Sequence, residues 1–184
     1  MEALLRDRLP HAPQMGLFVT PNLPSGRLDN ALSDYATEVG RGEVLALYDA
    51  TLSGTGGDGA VFTGGRFVFQ NNDLQATQTV RYPDLVRVET QSRWLGLGGK
   101  VVMLTVNRGR ATFELTMDFS GTPKAASYVA DFLDAAMVRD IDFAPASEPD
   151  TTDAAAVRAA LERLRAEQKL TADDFDRLLA ALDE

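Results

Sequence analysis

The chain has 184 residues, 45% of them hydrophobic and 24% charged, values that fit one folded domain with an appendage rather than a disordered chain. It carries no cysteine and a formal net charge of −9. Disulfides, thiolate nucleophiles and zinc–thiolate centres are thereby excluded, and a generic nucleic-acid binder, which needs clustered Lys and Arg against the phosphates, is disfavoured.

Residues 1–9 suggest a short helix with Leu4, Leu5 and Leu9 on one side. There is no basic start followed by an apolar core, so no secretory signal is expected. The strongly apolar run Val101–Val106 is far shorter than the roughly 20 residues of a membrane-spanning helix. These features predict a cytoplasmic protein without a transmembrane segment. The PNLP stretch at Pro21–Pro24 breaks the chain. Leu28, Ala31, Leu32, Tyr35 and Val39 then recur at helical spacing, predicting a helix over Ser25–Val39 with Ser25 as its N-cap and Gly40 as its stop.

From Glu43 to Phe119 the chain changes character. Short segments rich in Val, Thr, Phe, Tyr and Leu are separated mostly by Gly, Asn, Asp or Pro, the pattern of a meander of six or seven antiparallel strands. RFVFQ at Arg66–Gln70 alternates, with Phe67 and Phe69 on one face. Asn107–Arg110 sits between two strand-like runs as a hairpin turn. In TPKAASYVADFLDAAM, Ala125, Val129, Phe132, Leu133 and Ala136 share one helical stripe with Tyr128 beside it, a helix suited to capping an open end of a curved sheet. Residues 141–153 have the composition of a linker. Beyond it, two short helices are predicted. Val157, Leu161 and Leu164 mark the first, Leu170 lies at the turn, and Phe175, Leu178, Leu179 and Leu182 form the second stripe. Thr171 and Asp174 take capping-box spacing. Helices this short need a partner for their apolar stripes.

The stretch SGTGGDG, Ser53–Gly59, contains a literal GxGxxG in Gly54, Gly56 and Gly59. A dinucleotide cradle requires a helix after the glycines, with the phosphates on its N-terminal amides. Here AVFTGGRFVFQ follows, which reads as strand, so the loop is expected to be a hairpin turn. No Gly-Lys-Ser/Thr follows for a P-loop, and no GxSxG accompanies the lone His11. No catalytic, metal or cofactor residue is assigned. Asp49 and Asp58 flank the glycine loop and carry a distant alternative, a metal-dependent hydrolase. Basic residues outnumber acidic ones between Arg66 and Lys124 although the whole chain is acidic. Arg93, Trp94, Lys100, Arg108 and Arg110 are the candidate surface contacts. They carry the main alternative, a peripheral membrane module meeting anionic lipid.

GEVLALYDATLSGTGGDGAVFTGGRFVFQ, then TVRYPDLVRVE, then a closing helix resembles the bacterial pleckstrin-homology-like (PH-like) domains over roughly residues 16–138. The DGAVFT turn at Asp58–Thr63 and the YPDL step at Tyr82–Leu85 are its specific parts. The tail LERLRAEQKLTADDFDRLLAALDE resembles the short C-terminal SHOCT domain through Leu161, Leu164, Leu170, Thr171, Phe175 and Leu182. It departs at Lys169, where the usual turn Gly is missing, and at Asp174, where Glu is usual. The resemblance implies an α+β fold: a strongly bent antiparallel sheet or partial barrel of about seven strands, with an N-terminal helix, a capping C-terminal helix and a small helical hairpin. It implies no cofactor and no catalytic residue. The expected organisation is a helical lead-in (1–40), a PH-like β domain (41–140), a linker (141–153) and a helical hairpin (154–184). The expected function is a non-enzymatic binding or scaffold module. Its partner would be another protein or another copy of the chain, engaged through Val157, Leu161, Leu164, Leu170, Phe175, Leu178, Leu179 and Leu182.

Overall fold

Alternating apolar residues and glycine-bounded turns organise the middle of the chain into two antiparallel sheets. The computed structural model describes residues 1–92 and 99–139, all within one unit, Met1–Ile141. The first sheet runs in chain order: β1 (Leu17–Val19), β2 (Ala46–Asp49), β3 (Gly59–Phe62), β4 (Arg66–Gln70) and β5 (Gln78–Arg81). The second holds β6 (Leu85–Ser92), β7 (Lys100–Arg108) and β8 (Ala111–Asp118). Three helices complete the mixed α+β architecture: α1 (Glu2–Arg8), α2 (Ser25–Asp34) and α3 (Pro123–Arg139).

The first sheet is covered on both faces. Tyr48, Ala60 and Phe69 lie opposite one another across β2, β3 and β4, as do Leu47, Val61 and Val68 on the other face. The Tyr48 face, with Phe62, Phe67 and Val80, joins the main core. Leu5 and Leu9 enter that core from the N-terminal segment, and Ala125, Val129, Phe132, Leu133 and Ala136 enter it from α3, the stripe expected of that helix. The Leu47 face packs against Leu28 and Ala31 of α2 and the following Tyr35, Ala36 and Val39. Removing this much apolar surface from water, at about 25 cal/mol per Å², is the main term holding the sheet to its helices. Double coverage explains why Val68 is buried as well as Phe67 and Phe69.

The YPDL step is the joint between the sheets. Tyr82–Asp84 forms a 3-10 turn, with Pro83 in its first turn where the missing N–H costs nothing. The Tyr82 ring stacks on Phe67 at 5.8 Å and meets Phe132 edge-on at 5.7 Å. Its hydroxyl donates to the Thr63 carbonyl at 3.0 Å. One side chain therefore ties the first sheet, the joint and α3 together.

Three details differ from the sequence-based expectation. The seven strands β2–β8 fall between Glu43 and Phe119 as expected, but a further strand, β1, precedes α2, and the strands of the described residues form two sheets rather than one bent sheet. The α2 helix ends at Asp34, not Val39. Ala36 N–H returns to the Ala31 carbonyl at 2.8 Å, and the chain leaves the helix while keeping Tyr35, Ala36 and Val39 on the sheet. Ser25 lies inside the helix, with Pro24 at the N-cap and no side-chain cap. Among the described residues no helix is long and apolar enough to cross a membrane. The expected linker and helical hairpin, 141–184, lie outside the described residues.

Candidate functional site

The glycine loop is a clasp closed on itself. Thr51 follows β2 and donates from both its amide and its hydroxyl to Asp49 Oδ1, at 3.0 and 2.5 Å. The Thr51 hydroxyl oxygen then accepts the amides of Thr55 and Gly56, at 2.8 and 3.3 Å, and the Thr51 carbonyl accepts the Gly54 amide at 3.2 Å. The amides that a phosphate would need point inward at Thr51, and strand β3 follows the loop where a cradle would have a helix. The glycines serve close packing. Gly56 passes over the first turn of α2, where a Cβ would come within 2.4 Å of the Arg27 carbonyl oxygen, and Gly59 would place one 1.9 Å from the Tyr48 carbonyl oxygen. The loop is a turn, as its flanking strands predicted.

Asp49 anchors this clasp. Its carboxylate is buried, with 1% of the side chain exposed, and Oδ2 meets Arg27 Nη1 at 3.0 Å. The guanidinium also lies 4.9 Å over the Phe18 ring, so its charge is met on two sides. Asp58 stands at the far end of the loop and accepts a hydrogen bond from Gln70 Nε2 at 3.4 Å. Burial holds the Asp58 carboxyl above its ordinary pKa, reinforced by the charges of Asp73, Asp34 and Asp49 and opposed by the Gln70 hydrogen bond. Both carboxylates of the hydrolase alternative thus have structural partners, and among the described residues no group of three or more His, Asp or Glu is placed to hold a metal ion.

Strands β2 and β4 both run antiparallel to β3, so the loops that follow them leave the same end of the sheet. These loops are cross-braced. Gln70 donates to Asp58 and accepts from Thr77 Oγ1 at 3.0 Å. Asn71 imitates a strand: its amide donates to the Thr116 carbonyl at 2.8 Å and its oxygen accepts the Asp118 amide at 2.9 Å, tying the end of β4 to β8. At the tips Leu52 and Leu74 are fully exposed.

No family model, curated protein or solved structure matches this chain.

The basic candidates separate into two groups. Lys100 opens β7 and Arg108 closes it, eight residues apart, or about 26 Å along an extended strand. Arg108 Nη2 donates to the Thr79 carbonyl at 3.0 Å, across to the edge of the first sheet, and Arg110 follows the Gly109 turn. Arg93 and Trp94 lie outside the described residues. Lys100 instead meets α3: its Nζ donates to Ser127 Oγ at 3.3 Å, and the two border a cavity of about 530 Å³ together with Lys124 and Tyr128. Sequence spacing did not join Lys100 to Lys124, because they come from different elements brought together only when α3 packs on the sheets. His11 has a structural contact as well, accepting the Val19 amide at Nδ1 at 3.3 Å and meeting the Phe18 ring edge-on.

Proposed function

We propose that this protein is a non-enzymatic binding module: a PH-like domain that presents a protein- or ligand-binding surface, joined to a SHOCT-like C-terminal hairpin for self-association or docking. The observation that carries the reading is the strand arithmetic of the core. After the extra edge strand β1, four antiparallel strands (β2–β5) and then three (β6–β8) are followed by a helix whose apolar stripe enters the core shared by both sheets. The PH-like resemblance implies about seven strands closed by a helix, and this count supports the reading. The carboxylates nearest to the glycine loop are engaged in holding it, which favours a binding role over acid–base chemistry.

The tail sets the experiment. Residues 141–184 include the apolar positions Val157, Leu161, Leu164, Leu170, Phe175, Leu178, Leu179 and Leu182. Solution mass by light scattering is compared for the full chain, for a chain ending at Asp140, and for the full chain with Leu161→Asp and Leu178→Asp together. An oligomer that falls to a monomer in both altered chains supports self-association. Equal oligomeric mass in all three overturns it. A monomer throughout moves the tail to docking on a different protein, for which the hairpin itself is the bait.

A further inference from the structure

We propose that the cavity between the start of β7 and the first turns of α3 binds a phosphomonoester. The inference rests on the binding-module reading and names the ligand class for it. The cavity, about 530 Å³, is of the size that holds a small organic molecule. Its polar lining residues all carry donors: Lys100, Lys124, Ser127, Gln14 and Tyr128. Among the described residues no carboxylate lines it, in a chain with 27 acidic residues against 18 basic ones. Among the described residues neither lysine forms an ion pair, as is also true of Arg81, Arg108, Arg110 and Arg139, whereas Arg6, Arg8, Arg27, Arg41, Arg66 and Arg87 are paired.

Two of the donors are placed by a direct contact. Lys100 Nζ donates to Ser127 Oγ at 3.3 Å, which occupies a lone pair of that oxygen and leaves its proton to be donated. Two ammonium groups and one hydroxyl then match, in number and charge, the three oxygens and nearly two negative charges of a phosphomonoester. Lysine suits that task as a compact point charge that needs no bidentate partner. The remaining wall is apolar or aromatic: Met15, Pro123 and the ring of a Tyr128 that is 41% exposed. That wall fits the organic remainder of the ester. Both a soluble phosphate ester and the headgroup of phosphatidic acid present this chemistry.

The test uses the full chain at low salt, titrated by calorimetry with inorganic phosphate and with phenyl phosphate, and sedimented with vesicles of phosphatidylcholine alone or with phosphatidic acid. Phenyl phosphate is expected to bind more tightly than inorganic phosphate, and Lys100→Ala and Lys124→Ala each to weaken it by about tenfold, the worth of one charge-assisted hydrogen bond. Lys124→Gln, at an exposed position, gives a second variant whose folding is not in question. Sedimentation with phosphatidic acid vesicles, lost in the same variants, assigns the lipid source. Binding of phenyl phosphate without sedimentation assigns a soluble one. Absence of all binding, or binding unchanged in the lysine variants, overturns the site. Such a failure leaves the light-scattering masses as they were, so it is distinguishable from a failure of the binding-module reading.

Discussion

If the glycine loop is a packed turn, alanine substitutions through it should be graded by what each new Cβ meets. Gly64 is the control, because a Cβ there meets nothing within 4 Å and its backbone is not left-handed. Gly64→Ala should change stability by no more than about 0.5 kcal/mol. Gly56 has φ +81, and its Cβ would sit 2.4 Å from the Arg27 carbonyl oxygen, about 1 Å inside ordinary contact. The left-handed backbone alone costs about 1–2 kcal/mol for a residue with a side chain. Relief of the clash must lift the loop off α2 and stretch the Asn30–Thr55 hydrogen bond of 2.8 Å, worth about another 1 kcal/mol. Gly56→Ala should therefore lose about 2–3 kcal/mol. Gly59, with φ +137 and a Cβ 1.9 Å from the Tyr48 carbonyl oxygen, sits in the β2–β3 ladder, where the clash is backbone against backbone. Its loss should be larger, about 4 kcal/mol or more. For a unit of this length each kcal/mol moves the thermal midpoint by about 3–4 °C, so the order Gly64, Gly56, Gly59 should appear as shifts of about 2, 10 and 15 °C. Scanning calorimetry on the full chain reads this directly. A Gly59→Ala midpoint within about 2 °C of the parent would refute the packing argument. So would a nucleotide that stabilises the parent chain but not a normally folded Gly56→Ala.

Three further outcomes follow from single side chains. Asp49→Ala leaves the Arg27 guanidinium and the Thr51 amide without their carboxylate. Because Arg27 is 35% exposed, the loss should be about 2–3 kcal/mol rather than the full value of a buried pair, and Arg27→Ala in the same background should add little, as measured by urea unfolding; full additivity would show that the pair is uncoupled. Tyr35 is buried, its hydroxyl has no hydrogen-bond partner among the described residues, and burial together with the Asp49, Asp58 and Asp34 charges pushes its pKa up. Tyr35→Phe should therefore leave stability unchanged or raise it by about 1 kcal/mol, and a loss of that size in urea unfolding would reveal a hidden partner. Asp58 has a raised pKa in the folded state, so the folded chain holds this proton more tightly than the unfolded chain. Its contribution is complete below the ordinary carboxylate value near pH 4 and is lost as pH rises through the raised one. Asp58→Asn should flatten that part of the midpoint-against-pH curve and raise the midpoint at neutral pH; a steeper fall in the variant would reverse the assignment.

Much of the framework was legible because it is local. The stripe Ala125, Val129, Phe132, Leu133 and Ala136 needs only the period of a helix, and Phe67 and Phe69 need only the period of a strand; both groups lie in the core. The strand after the glycine loop was likewise enough to reject a phosphate cradle. What escaped depends on non-local contacts. Three residues, Leu17–Val19, are too short a run to announce a strand, and β1 exists because β2 offers Ala46–Tyr48 as an edge to pair with. Tyr35, Ala36 and Val39 keep apolar spacing past the end of α2 because they follow the sheet, not because the helix continues. Charge counting along the chain grouped Lys100 with Arg108 and Arg110, but a strand carries its ends apart, while the packing of α3 brings Lys124 and Ser127 to Lys100 from 24 and 27 positions away.

That last contrast bears on how a chain this acidic would select an anion. Its overall field opposes approach, and at about 0.15 M salt that field is screened beyond roughly 8 Å. Discrimination must then come from the few groups within contact distance. The salt-bridge pattern separates Lys100 and Lys124 from the paired arginines. Arg27 is neutralised by Asp49, Arg41 by Asp29, and Arg66 faces Glu43, so each is already matched to a carboxylate. A ligand competing for those arginines would have to displace a partner held at effectively high local concentration. At Lys100 it would displace no partner, because the ammonium keeps two donors beyond the 3.3 Å contact with the Ser127 hydroxyl. The same reasoning separates the cavity from the exposed leucines at the loop tips. Leu52 and Leu74 rise from an end of the sheet where Asp58 and Asp73 repel one another, ground that disfavours an anionic surface. If an anionic ligand binds this domain, it should do so beside α3 and not at the braced loops.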